Sequence, residues 1–93
     1  MGKRLKHSAQ AGFEEKNDLV VQVSPGVEGS GIIVNLSSSV MRHFGEHITA
    51  FITDVVKQED FQDVTLDVKD KGAWDYTIKA RVIAALERGM KDA

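Results

Sequence analysis

Three runs of alternating side chains and two apolar stripes at helical spacing leave this chain few ways to bury its nonpolar surface. Leu19, Val21 and Val23 interleave with Val20 and Gln22. Ile32, Val34 and Leu36 interleave with Ile33 and Asn35, and Val64, Leu66 and Val68 with Thr65 and Asp67. A period of two is the mark of a strand. Between the first two runs lies Ser24-Pro25-Gly26-Val27-Glu28-Gly29-Ser30-Gly31, dense in turn formers. These two strands are therefore expected to pair as an antiparallel hairpin with a long connection. Ser37, Ser38 and Ser39 then offer hydroxyls for the unpaired amides of a first helical turn. The helix that follows sets Val40, Phe44, Ile48, Phe51, Ile52 and Val55 on one stripe and runs to about Lys57. A second helix, starting near Trp74 or Asp75, carries Trp74, Ile78, Val82, Ala85 and Leu86 on one face, and Gly89 is placed to end it in a left-handed conformation.

The order strand, strand, helix, strand, helix predicts an α+β fold. The economical form is a ββαβα two-layer domain, a three-stranded mixed sheet with two helices on one face. Its strand–helix–strand connection is expected to be right-handed. This domain is assigned to residues 18–90. Residues 1–17 show neither periodicity, carry Lys3, Arg4 and Lys6 at the front, and have only Leu5 and Phe13 as large apolar side chains. They read as a flexible N-terminal arm, because ordering a segment costs about 1–2 kcal/mol per residue and little apolar area is available to offset it.

Charge and composition narrow the function. Twelve Lys and Arg against fourteen Asp and Glu give a formal net charge of −2, which argues against nucleic acid as a partner. There is no cysteine, so disulfides and thiolate metal sites are excluded. No apolar run approaches the ~20 residues of a membrane span, and no apolar leader core follows the basic start. The expectation is a cytoplasmic protein with no membrane partner.

Two segments carry a more specific signal. The first is Gln10-Ala11-Gly12-Phe13-Glu14-Glu15-Lys16-Asn17-Asp18, and the second Asp70-Lys71-Gly72-Ala73-Trp74-Asp75. Together they resemble the acyl carrier protein (gamma chain) family of citrate lyase. There the first segment reads approximately Ala-Gly-Thr-Leu-Glu-Ser-x-Asp before an apolar strand, and the second Asp-Lys-Gly-Ala-Leu-Asp before a helix. The resemblance runs from about Gln10 to Leu86. It includes Ser38-Ser39-Val40, Phe44-Gly45, Val64, Leu66, Val68, Ala80-Arg81 and Ala84 to Leu86. No single match is specific; their order and spacing across one short domain are.

The resemblance implies a non-catalytic carrier subunit of an enzyme complex. In the family, a serine bears an arm derived from triphosphoribosyl-dephospho-CoA, a prosthetic group of phosphopantetheine type whose thiol holds the acyl group. The implied partners are the alpha subunit, which exchanges acetyl for citryl on that thiol, the beta subunit, which cleaves the citryl thioester, and the prosthetic-group transferase. The carrier of malonate decarboxylase is a close second within the class. Lys16 stands at the position matching the attachment serine and is the one cofactor-binding candidate. A lysine ammonium offers no hydroxyl for a phosphodiester, and no Ser, Thr or Tyr lies between Ala9 and Val23. The chain as written is therefore expected to be apo. A rival reading is a carrier-derived interaction or scaffold domain that has lost the prosthetic group. The bland reading of Lys16 is a solvated loop lysine, and an amide-linked role of the biotinyl-lysine kind is disfavoured because Lys16 lies ahead of the first expected strand.

Other constellations are weaker. His43-Phe44-Gly45-Glu46-His47 matches a His-x-x-Glu-His zinc pattern, but a metalloprotease needs a third ligand and a cleft, and a solvated helix face is the better reading. Lys79 and Arg81 flank the last apolar stripe, either meeting phosphates of the arm or packing their stems with heads in water. Trp74, the single tryptophan, reads as a core-edge anchor. No catalytic and no metal-binding residues are assigned.

Overall fold

The computed structural model describes residues 2–38 and 41–91. Six elements follow one another: β1 (Ala9–Gly12), β2 (Leu19–Pro25), β3 (Ile32–Ser38), α1 (Met41–Gln58), β4 (Val64–Asp70) and α2 (Asp75–Met90). The class is α+β as expected, but the sheet has four strands, in the order β1-β2-β4-β3. Two corrections follow from that order.

The first concerns pairing. β2 and β3 are not a hairpin; β4 lies between them, antiparallel to β2 and parallel to β3. A two-residue turn would have forced neighbouring strands together, whereas the long connection from β2 to β3 leaves a slot open. The strand best suited to the slot fills it: Val64, Leu66 and Val68 of β4 are all 1% exposed or less. β3 stays at the edge, its inward residues only half buried.

The second concerns the segment 1–17, expected as an arm outside the domain. Ala9–Gly12 forms the fourth strand, in register with Val20–Val23. Leu5 and Ala11 belong to the same core as Leu19 and Leu86. The basic front is partly engaged as well: Arg4 pairs with Asp63 at 3.0 Å, and the Lys3 ammonium sits 4.7 Å over the Phe61 ring. Gly89 explains the close fit. It lies within α2 rather than ending it, and a Cβ there would meet Leu5 Cδ2 at 2.6 Å and the His7 carbonyl at 3.0 Å. The backbone amides of Lys6 and His7 both donate to the Gly89 carbonyl.

α2 covers β1 and β2, α1 covers β3, and the helices touch each other. The core contains Ile48, Ile52, Val55 and Val56 of α1 and Ile78, Val82, Ala85 and Leu86 of α2. Phe51 packs only partly against it, while Phe44 is 55% and Trp74 63% exposed. Trp74 is thus not a core-edge anchor, and Val40 lies outside the described residues. Gln10, Gln22, Asp67 and Lys69 mark the solvent face of the sheet. Among the described residues, no helix is long and apolar enough to cross a membrane.

Candidate functional site

The two resembling segments, some sixty residues apart in the chain, meet at one pole of the domain. The antiparallel β2–β4 register sets the start of β2 beside the end of β4. Loop 13–18 and loop 71–74 therefore share a pole with the first turn of each helix. The loops are joined by a reciprocal pair of backbone hydrogen bonds: the Asn17 amide donates to the Lys71 carbonyl and the Lys71 amide to the Asp18 carbonyl, each at 2.9 Å.

Local chemistry shapes both loops. Gly12, at φ 95°, turns the chain out of β1, and the Phe13 amide closes the hairpin on the Leu19 carbonyl at 3.1 Å. The Asp18 amide donates to the Glu15 carbonyl at 3.0 Å, so Lys16 and Asn17 are the central residues of a four-residue turn. Asn17 takes the left-handed conformation, φ 64°, which asparagine tolerates. In the facing loop, Asp70 is 2% exposed. Its carboxylate accepts from the Ala73 amide at 2.9 Å and the Ser38 hydroxyl at 2.7 Å. That one side chain ties the end of β3 to the loop after β4, a physical reason for aspartate to open the Asp-Lys-Gly-Ala sequence.

Beneath the turn lies an ion pair. Asp18 accepts from Arg81 Nε at 3.1 Å on one oxygen and from Arg81 Nη2 at 2.9 Å on the other, and its own next residue, Leu19, donates an amide at 2.7 Å. This two-point geometry is the strong form of a carboxylate–guanidinium contact. The Arg81 hydrogen bonds hold the Asp18 carboxyl below the usual aspartate range, against the opposing pull of burial, with the Leu19 amide and the Arg81 charge adding to the lowering. The same pairing raises Arg81. The Phe13 ring lies 5.8 Å from the guanidinium, and Glu14 pairs with Lys69 at 3.1 Å. Lys16 itself is exposed and makes no hydrogen bond or ion pair among the described residues. The loop is a clamped base whose residues 13–17 are all exposed, with Lys16 in its central turn.

Folding lowers the Asp18 pKa, so this carboxylate adds stability at pH values above the ordinary aspartate range and loses it as pH falls through the lower folded value. Arg81→Met should therefore be less stable than the parent in urea at pH 7. The two unfolding midpoints should converge below about pH 4. Asp63, lowered by the Gly31 and Gly29 amides and by Arg4, is common to both chains and leaves a shared acid loss. A midpoint difference independent of pH would contradict the assigned role of the pair.

His47 pairs with Asp75 at 3.2 Å and stacks on Phe51 at 6.2 Å between centroids. Glu46 is exposed, and the His43 side chain lies outside the described set. No group of three or more metal-ligating side chains occurs among the described residues. Lys79 faces solvent, whereas Arg81 is committed to Asp18. That pairing spans 63 positions and has no local signal, although both residues fall within the resembling pattern. Lys16 does not precede the sheet: it occupies the tip of the β1–β2 hairpin.

Comparison with known proteins agrees in sequence and in shape. The family model described as the malonate decarboxylase delta subunit (MdcD), an ACP type, matches residues 6–89. The citrate lyase acyl carrier protein of Latilactobacillus sakei subsp. sakei (strain 23K) is 43% identical over 86 residues, covering 92% of this chain and 83% of the relative. That of Halothermothrix orenii (strain H 168 / OCM 544 / DSM 9562) is 36% identical over 89 residues, 96% and 93% of the two chains. A chain in the crystal structure of a Pseudomonas malonate decarboxylase hetero-tetramer in complex with malonate superposes with a TM-score of 0.78. It covers 94% of this chain and 88% of that one. At 19% identity this last likeness speaks to the fold.

Proposed function

The chain belongs to the acyl carrier family that includes the citrate lyase carriers and the malonate decarboxylase delta subunit, and from that premise we propose that it is the non-catalytic carrier-type subunit of a citrate-lyase-like complex in the cytoplasm. Residue 16 is the attachment position, and the chain as written is apo. The observation that carries this reading is the clamped turn: Lys16 stands exposed at a hairpin tip whose base is held from below by Asp18–Arg81 and from the side by loop 71–74. A long prosthetic arm needs such a base, firm at its root and open around its tip.

The side chain at that tip does not fit the family's phosphodiester-linked group. Lys16 has no hydroxyl, and the hydroxyls nearest to it in sequence, Ser8 and Ser24, bond to each other at 3.2 Å at the far end of the β1–β2 pairing. No step is therefore routed through an arm on this chain. The same lysine supports a second reading, a carrier-derived scaffold that keeps the contacts with the alpha and beta subunits and has given up the acyl load.

Intact mass tests this directly. Coexpressed with a citrate lyase prosthetic-group transferase, the parent chain should keep its unmodified mass, and Lys16→Ser should gain the mass of one arm. A parent chain that gains the arm would show residue 16 to be wrongly assigned. A Lys16→Ser chain that stays bare would favour the scaffold reading.

A further inference from the structure

The two edges of the sheet are finished differently. β1 is four residues long, and the Arg88 guanidinium donates to its Gln10 carbonyl at 2.9 Å. β3, at the other edge, runs for seven residues, Ile-Ile-Val-Asn-Leu-Ser-Ser, without a charge or a proline. Edge strands are commonly blunted by shortness, charge, proline or a bulge, because a bare edge is a template for another strand. β3 has none of these devices, and its pairing with β4 runs unbroken from Ile32 to Ser38.

Backbone direction fixes what this edge offers. The Val64 amide donates to the Gly31 carbonyl at 3.2 Å, so Gly31 points its carbonyl at β4. Successive residues of a strand turn their backbone groups to opposite sides. Ile33, Asn35 and Ser37 therefore face β4 as well, and Ile32, Val34 and Leu36 turn their amides and carbonyls to the open edge. Among the described residues nothing bonds to those groups. The side chains of the same residues, on the helix side of the sheet, are only half buried.

We propose that the β3 edge pairs with the β3 edge of a second copy of this chain, antiparallel about a two-fold axis at Val34. A row of alternating donors and acceptors is satisfied by another extended strand. A two-fold contact sets one surface against itself, and β3 suits that demand. Pairing Val34 with Val34 and Ile32 with Leu36 satisfies every outward amide and carbonyl of these residues. It also sets apolar side chains against one another on the helix side, where each is half uncovered. On the outer face Ile33 stands opposite Asn35. A charge near the axis would meet its own sign, and β3 carries none. The same neutrality gives the strand no means of selecting a partner of opposite charge. β1 and β2, with Lys16 at their hairpin tip, lie on the far side of β4, so this pairing leaves that turn open. The inference is independent of the carrier reading.

Sedimentation equilibrium of the full-length chain should show its mass doubling as concentration rises. Because the chain has no cysteine, Ser37→Cys, exposed on the outer face, takes a single nitroxide label. Pairing about Val34 sets the two copies of residue 37 roughly 20 Å apart at ~3.4 Å per residue, a separation that pulsed electron paramagnetic resonance measures. Val34→Pro removes an outward amide with no partner in its own chain, a position where an edge strand tolerates proline. It should weaken the association by about tenfold or more. Ile33→Lys acts from a side chain already 41% exposed, sets two ammonium groups diagonally across the axis, and should also weaken it. Gln10→Lys, on the opposite edge strand, should not. Urea unfolding of each variant verifies that it is folded. A chain that keeps its single-copy mass up to millimolar concentration overturns the proposal. So does a dimer that survives Ile33→Lys, or one whose labels lie far from the expected separation. If the chain stays single yet Ile33→Lys abolishes binding to citrate lyase alpha or beta subunits, the edge takes a strand of another protein and the second copy is overturned.

Discussion

Leu66→Ala should lower the stability of this domain by about 2–5 kcal/mol, a large part of the ~5–15 kcal/mol that a domain commonly has. Leu66 is 0% exposed. It sits at the middle of β4, paired with Val23 on one side and Val34 on the other. Truncating it to a methyl leaves a void in the core between two flanking strands, and a central strand held on both edges cannot shift to fill it. Urea unfolding followed by far-UV circular dichroism measures the loss. Ile33→Ala, on the outer face of β3 at 41% exposure, is the control and should cost far less. Phe51→Ala should fall between them, because that ring is only partly buried. A cost below about 1 kcal/mol for Leu66→Ala would mean that β4 is not the centre of the sheet.

Gly12→Val should act on the hairpin that presents residue 16. Gly12 holds φ 95°, where a β-branched residue is strained by about 1–3 kcal/mol. The larger effect is steric: a Cβ on Gly12 would stand 1.9 Å from the Leu19 carbonyl oxygen. That neighbour is backbone, already bonded to the Phe13 amide, and cannot swing aside as a side chain would. β1 must part from β2 beside the loop. Amide exchange should quicken at Phe13 and at residues 19–21, and a Lys16→Ser, Gly12→Val double variant should lose the modification expected of Lys16→Ser alone. Gly29→Ala separates strain from collision, because Gly29 shares a positive φ of 83° but has nothing within 4 Å of its would-be Cβ. Unchanged exchange at Phe13 in Gly12→Val would refute the collision.

The expected strands at 19–23, 32–36 and 64–68 all lie inside observed strands, because buried Val, Leu and Ile every second residue suit one face of a pleated sheet. β1 escaped notice for a physical reason. Its inward residues are Ala9 and Ala11, whose small side chains give alternation almost no hydrophobic contrast, and only the partner strand shows which face they cover. The helical stripes were legible at Ile48, Ile52, Val55, Ile78, Val82, Ala85 and Leu86. They misled at Phe44 and Trp74, where a stripe runs past the end of the surface it packs on.

The candidate site divides in the same way. The sequence alone determined the family pattern, the lysine at residue 16, and the two loops that meet, since residue identity and local turn chemistry are written in the chain. Tertiary structure decided the rest. The neighbour of each strand depended on which of three apolar runs best filled the centre of the sheet, a competition that no local window contains. That outcome set loop 13–18 beside loop 71–74, brought Arg81 to Asp18 across 63 positions, and left the aromatics on the same pole. Such contacts arise only after the sheet is assembled, because it is the assembly that brings distant residues within hydrogen-bonding distance.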